Sequence, residues 1–175
     1  MEEAECVEAF YQAELEHWIN GNHQVKLLIL GEAPLSCDKY FYGRNRGNYL
    51  GGLKTHLDVT LQNLLSALRE RGILAIDLYR EPRPTADYNI DRANALYNPL
   101  YVNDRIDELS RSGLLSDSAK AVYRYKKLIT RGLKIGVDLE NRLIRDGNGA
   151  PISLFIQERP IQLLGPQMID IIDNL

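Results

Sequence analysis

The chain has 175 residues, of which 45% are hydrophobic and 26% are charged, and its formal net charge is −3. These values are typical of one folded domain and exclude disordered and fibrous chains. The sequence contains no apolar run of about eighteen residues, so it predicts no membrane span. Its acidic start lacks the basic-then-apolar order of a signal peptide. We therefore expect residues 1–175 to form a single cytoplasmic domain.

The first predicted elements are a helix and a strand. Apolar residues with helical spacing over 5–20 predict the helix, and Gly21 is a plausible stop for it. The apolar run over 26–30 ends at Gly31, and it is typical of a strand that is buried on both faces of a parallel sheet.

A second helix and a second strand follow. A stripe of leucines predicts one long amphipathic helix from Leu53 to Arg71, which Gly72 would end. The run over 73–78 predicts the next strand. A strand, a helix and a strand in this order form a βαβ unit, whose crossover is nearly always right-handed.

The second half of the chain predicts two more strands and three more helices. The whole pattern predicts an α/β three-layer sandwich, in which a four-stranded, mostly parallel sheet has strand 26–30 at its centre and helices on both faces. Ligands bind such sheets at the carboxyl ends of the strands, where loops 31–52, 79–100 and 157–166 would meet. The later elements are helices over 102–112, 138–145 and 166–175 and strands over 119–125 and 152–156.

The loop after the first strand carries the strongest candidates for a binding site. Its start, Gly31-Glu32-Ala33-Pro34, combines a residue that permits a sharp turn, a carboxylate and a stiffening proline. The cluster Tyr40-Phe41-Tyr42 and the nearby Arg44 favour a bound base or phosphate, because aromatic faces stack on bases and guanidinium groups bind phosphate. The alternative is that Phe41 packs in the core while Tyr40 and Tyr42 cover it. If all three rings lie wholly in the core, the loop is scaffolding and a partner-binding role becomes the better account.

Charged residues are unevenly distributed along the chain. Residues 1–16 contain six glutamates and no base, whereas residues 120–137 contain six bases and no acid. We expect both segments to form solvated faces, and we expect the basic strip over 120–134 to bind nucleic acid only weakly and in a salt-dependent manner.

The two cysteines, Cys6 and Cys37, lie in unrelated sequence contexts. Two thiols cannot supply the four ligands of an iron–sulfur cluster or of an all-cysteine zinc site within one chain. We therefore expect reduced thiols, and neither a metal nor another cofactor.

Three strings resemble the uracil-DNA glycosylase superfamily, and more specifically its uncharacterised glycosylase-like branches. They are LLILGEAP over 27–34, the aromatic cluster at 40–42 and IDLYREP over 76–82. The resemblance covers residues 26–82 and is topological beyond residue 100. It implies a glycosylase-like three-layer fold, a role in DNA repair and a pocket in which water cuts the glycosidic bond of a base turned out of the duplex.

The resemblance also implies roles for individual residues. Asp38 lies near the family's water-activating acid, and residues 32–34 would face the flipped base. Asp77 is a further acid at the end of the second strand, where it either faces the ligand or caps the next loop. The predicted catalytic residues are Asp38, Glu32 and Asp77, and the predicted ligand-binding residues are Gly31, Ala33, Pro34, Tyr40, Phe41, Tyr42, Arg44, Arg80 and Arg159.

One feature of the family is missing. Its last catalytic segment contains His-Pro-Ser, whereas this chain has Glu158-Arg159-Pro160 there, and its three histidines all precede the second strand. We therefore expect a nucleobase or nucleotide-like ligand at the rim of loops 31–52 and 79–84, without release of uracil from DNA. The alternative is an inactive relative that binds a protein partner or forms a homo-oligomer.

Overall fold

The structure, a computed structural model, describes residues 2–31, 33–43, 50–77, 82, 108–109, 111–123, 153–156 and 163–175. The helix predicted over 138–145 and most of the one predicted over 102–112 lie outside these residues. No helix in the described ranges is long and apolar enough to cross a membrane. The helices are α1 (Glu3–Asn20), α2 (Gly51–His56), α3 (Leu64–Arg71) and α4 (Pro166–Asp173), and the strands are β1 (Val25–Gly31), β2 (Ile73–Asp77), β3 (Leu115–Tyr123) and β4 (Ser153–Ile156).

The strands pair in parallel, in the order β2-β1-β3-β4. β1 lies inside the sheet, with Leu28 opposite Leu74 on one side and Ala121 on the other. Its residues from 27 to 31 are all buried, which explains why the segment is almost wholly apolar. The α/β class and the parallel sheet around strand 26–30 are thus confirmed, while the glycosylase-like three-layer fold stays a prediction.

The prediction of one helix from Leu53 to Arg71 is wrong. The chain forms α2 and α3 instead, and the turn between them contains Asp58 with a positive φ of 51°. The three residues from Asp58 to Thr60 are poor helix formers, and the Asn63 N–H bonds the Thr60 carbonyl at 3.2 Å. The leucine stripe persists because all of its members still pack on or near the core. Leu64 and Leu68 are buried, and Leu57, Leu61 and Leu65 are half-buried.

Gly72 ends α3, as predicted, and its carbonyl also accepts hydrogen bonds from the start of β1. Its φ of 77° is left-handed, a conformation that glycine adopts without a steric cost. Its carbonyl accepts hydrogen bonds from the Lys26 N–H at 2.8 Å and from the Leu27 N–H at 3.0 Å. The end of the helix is therefore joined directly to the start of β1.

The core is one continuous cluster, to which α1, the sheet, the first loop and α4 all contribute. Its largest fully buried side chains include Tyr11 and Trp18 of α1 and Tyr40 and Phe41 of the loop. The loop after β1 therefore contributes side chains directly to the hydrophobic core of the protein.

A disulfide joins Cys6 of α1 to Cys37 of the first loop, with the Cα atoms 5.8 Å apart. The prediction of reduced thiols is therefore wrong. The pairing depends on the packing of two segments separated by 31 residues, which the sequence around either cysteine does not indicate. The Cys37 N–H also donates to Glu3 Oε2 at 2.6 Å. Disulfides are rare in the reducing cytoplasm, so the bond weighs against the cytoplasmic location that we expected.

Candidate functional site

The carboxyl ends of β1 and β2 bring two of the predicted site residues together. The parallel register places Gly31 opposite Asp77. Asp77 is only 3% exposed, so its carboxylate lies inside the protein. A Cβ added at Gly31 would overlap Asp77 Oδ1, so any side chain at position 31 would force the Asp77 carboxylate to move. At this end of the sheet, the buried carboxylate of Asp77 therefore lies directly beside the backbone of Gly31.

The aromatic cluster of the first loop lies in the core. Tyr40, Phe41 and Tyr42 are all buried, and their ring centroids are 5.4 to 6.2 Å apart. The prediction that these rings stack on a ligand is wrong for Tyr40 and Phe41, because burial leaves neither ring a face open to a ligand. Core packing was the alternative for Phe41, and the structure shows it for Tyr40 and Tyr42 as well.

Tyr42 ties the loop to the outer edge of the sheet. Its hydroxyl donates a hydrogen bond to the Ala75 carbonyl and accepts one from the Ala75 N–H at 3.2 Å. Burial raises the pKa of Tyr42 well above its ordinary value, so the hydroxyl keeps the proton that it donates. β2 is the outermost strand on its side of the described sheet, and the hydroxyl satisfies backbone groups that would otherwise lie on an open edge.

The remaining predicted site residues are spread over different environments. Asp38 is exposed, Ala33 is half-buried and Pro34 is buried. Asp38 and Asp77 therefore do not form the pair of buried acids that acid–base chemistry at the rim would favour. Glu32, Arg44, Arg80 and Arg159 lie outside the described residues, as does most of the basic strip over 120–134.

A second polar site, which was not predicted, lies between α1 and α3. Glu14 is 5% exposed, so the expectation of a solvated acidic face is wrong for this residue. Its Oε1 accepts hydrogen bonds from Trp18 Nε1 at 3.0 Å and from Arg69 Nη1 at 2.9 Å, and its Oε2 lies 2.7 Å from the same Nη1. Burial raises the pKa of Glu14 above its ordinary value, and the positive charge of Arg69 offsets this only in part.

One signal in the sequence marks Glu14. The buried stripe of α1 runs through Val7, Tyr11 and Trp18, and position 14 has the helical spacing of that stripe. A charged residue at a core position needs a partner. The partner is Arg69, which lies 55 residues further along the chain, so local patterns could not identify it.

The ion pair of Glu14 and Arg69 lines a cleft of about 330 Å³ between the two helices. α1 and α3 each present one stripe to the cleft, and Tyr42 also lines it. The volume of the cleft lies at the lower end of the range for small-molecule sites, and its lining is more polar than is usual for them. The other polar lining residues are His17, Gln62, Asn63 and Ser66, and the apolar ones are Phe10, Ala13 and Leu65.

Neither region resembles a metal centre, since no group of three His, Cys, Asp or Glu side chains in the described part of the chain could hold a metal ion. The chain matches no family model, no curated protein and no solved structure. The strand end and the cleft are therefore the two regions whose geometry bears on the function of this protein.

Proposed function

We propose that the chain is a divergent relative of the uracil-DNA glycosylases that binds a nucleobase or nucleotide-like ligand at the rim of loops 31–52 and 79–84. In this proposal the parallel sheet is the middle layer of a glycosylase-like fold. The buried Asp77 carboxylate beside Gly31 carries the proposal, because ligands bind open α/β sheets at the carboxyl ends of their strands. A carboxylate there suits the N–H groups on the edge of a base.

Because Tyr40, Phe41 and Tyr42 are buried, the aromatic cluster of the first loop does not support this proposal, which rests on Asp77 and Gly31 alone. The burial of the cluster strengthens the partner-binding role, which is the second candidate below. The base would be held by hydrogen bonds to its edge, with Asp77 as an acceptor, and without stacking on Tyr40 or Phe41. Excision of the base is not part of the proposal. No histidine follows the last strand in the sequence, and the superfamily uses one to donate a hydrogen bond to the leaving base.

Calorimetric titration with free uracil, adenine, guanine and their nucleosides tests the proposal. At least one of them should bind, and Asp77→Asn should weaken it about tenfold, which is typical of losing a charge-assisted hydrogen bond. Asp117→Asn is the matched control, because Asp117 is exposed on β3. A uracil-containing single strand should remain intact in the same preparation. Binding by none of these compounds, or an equal loss in the control variant, would refute the proposal.

The second candidate is a protein-interaction module, in which the fold is retained without a ligand. Its support is that the first loop packs as scaffolding and that α1 carries a shallow, exposed patch. The patch is lined by Ala4, Glu5, Glu8, Ala9 and Gln12. If the patch mediates self-association, sedimentation velocity should show a mass that rises with concentration and that falls on Ala9→Lys. Glu16→Lys, at another exposed position of α1, is the control.

A further inference from the structure

We infer that the cleft between α1 and α3 is a binding site for a small molecule with one carboxylate and a compact apolar body. The site shares Tyr42 with the first loop but uses neither Gly31 nor Asp77, the residues on which the proposed function rests. It therefore stands or falls independently of the proposed function.

The guanidinium group of Arg69 supplies the specific contact. Arg69 engages Glu14 through Nη1 alone, which leaves the opposite edge, formed by Nε and Nη2, without an acceptor among the described residues. That edge presents two parallel N–H donors, the arrangement that binds a carboxylate in a bidentate manner. The side chain of Arg69 is 18% exposed, so it is held in place and yet can be reached from the cleft.

The ion pair also fixes the guanidinium before any ligand arrives. Glu14 is anchored by Trp18 Nε1 as well as by Arg69, and it therefore holds Arg69 from the buried side. A group that is already ordered loses little conformational entropy on binding, so a small ligand can be held by few contacts. This role explains why a charged residue occupies a core position of α1.

The charges in the cleft favour a monoanion. Glu14 already offsets the charge of Arg69, so an anion in the cleft would be held by the N–H donors of Arg69 and not by a net positive charge. Two parallel N–H donors match the two oxygens of a carboxylate, whereas a phosphate dianion brings a second negative charge that no Lys or further Arg in the described lining offsets. The amide groups of Gln62 and Asn63 add neutral hydrogen-bonding groups, and Phe10 and Leu65 provide apolar contact for the body of the ligand.

Trp18 gives a direct readout, because it is the only tryptophan and its Nε1 bonds the carboxylate that holds Arg69. We expect benzoate to change the Trp18 fluorescence in a saturable manner. Benzamide, the neutral analogue, should bind at least about tenfold more weakly, because it lacks the charge of the carboxylate. Inorganic phosphate should neither change the signal nor compete with benzoate.

Arg69→Lys tests the bidentate contact, because lysine keeps a positive charge beside Glu14 but lacks the planar pair of donors. Benzoate affinity should fall about tenfold in this variant and stay unchanged in Arg71→Lys, an exposed position of the same helix. Circular dichroism and thermal unfolding verify that both variants fold. No response to benzoate at millimolar concentration, equal binding of benzamide, or equal affinity in the chain and Arg69→Lys would each overturn the inference.

Discussion

The strand end and the cleft each bury one carboxylate, but they do so by different means. At the strand end the sheet register delivers Asp77, and the missing side chain of Gly31 makes room for it. In the cleft, Glu14 is held by side chains alone, namely the guanidinium of Arg69 and the indole of Trp18. The comparison shows that backbone geometry positions one acid and that side-chain pairing positions the other.

Tyr42 lies between these two arrangements and connects them. Tyr42 lines the cleft, and its hydroxyl bonds Ala75, two residues before Asp77 on β2. The Cys6–Cys37 bond fixes the other end of the same loop to α1. The first loop therefore acts as a brace that sets α1 against the edge of the sheet.

The largest expected effect is on the cleft, where one partner of a buried pair can be removed. Arg69→Ala should lower the free energy of unfolding by about 3 to 5 kcal/mol at neutral pH, because the Glu14 carboxylate stays buried without its cation. Urea unfolding measures the loss. Arg71→Ala, at an exposed site on the same helix, should change stability by less than about 0.5 kcal/mol.

A double variant tests whether this loss of stability comes from the unpaired charge of Glu14 or from lost packing. Glu14→Leu/Arg69→Met should recover most of the stability that Arg69→Ala loses, since replacing both buried charges with apolar groups of similar volume is often neutral. If the double variant is as unstable as the single one, the cost comes from packing and not from an uncompensated charge.

The next effect concerns the brace. Cys6→Ser/Cys37→Ser should lower the free energy of unfolding by about 3 kcal/mol, because the bond closes a segment of 31 residues in the unfolded chain. A reducing agent should lower the melting temperature of the unaltered chain by a similar amount and leave the double variant unaffected. An unaltered chain that is insensitive to reduction would show that the bond does not contribute.

The sheet could be predicted from the sequence because its signals are local. The apolar run of β1, its end at Gly31 and the acid at the end of β2 all lie within short segments, and the α/β class follows from their order. The break between α2 and α3 was missed, because the leucine stripe continues across a turn whose helix-breaking residues are only weakly unfavourable.

The cleft and the brace could not be predicted, because each depends on contacts between distant segments. Glu14 pairs with Arg69 across 55 residues, and Cys6 pairs with Cys37 across 31. The aromatic cluster is a different case. Its composition fits a ligand-stacking surface and a core equally well, and only the burial of the three rings in the folded protein distinguishes them.

A smaller effect tests the link that Tyr42 makes between the two regions. Tyr42→Phe should cost about 2 kcal/mol of unfolding free energy, because the buried carbonyl and N–H of Ala75 both lose their partner while the ring is kept. Tyr40→Phe, which removes a hydroxyl from the same cluster, should leave the exchange of the Ala75 amide unchanged. Hydrogen exchange should show faster exchange of the Ala75 amide in the first variant, and unchanged exchange there would contradict the assignment.

The smallest expected effect is a pH dependence confined to the cleft. Burial raises the pKa of Glu14 above its ordinary value of 4.5, so the folded state binds this proton more tightly than the unfolded state does. Stability from this group is therefore fully present below pH 4.5 and is lost as the pH rises through the raised pKa. Tyr42 keeps its proton over this range, because burial raises its pKa well above the ordinary value.

Glu14→Gln isolates this contribution, because glutamine keeps the volume of the protonated acid and does not titrate. The stability of the unaltered chain minus that of the variant, from urea midpoints between about pH 4 and pH 6, should decrease steadily as the pH rises. Asp117→Asn, at an exposed position, supplies the comparison. A difference that increases with pH would mean that Arg69 outweighs burial and that the cleft stabilises the charged acid. In that case the ion pair itself, and not the burial of the acid, sets the electrostatics of the cleft.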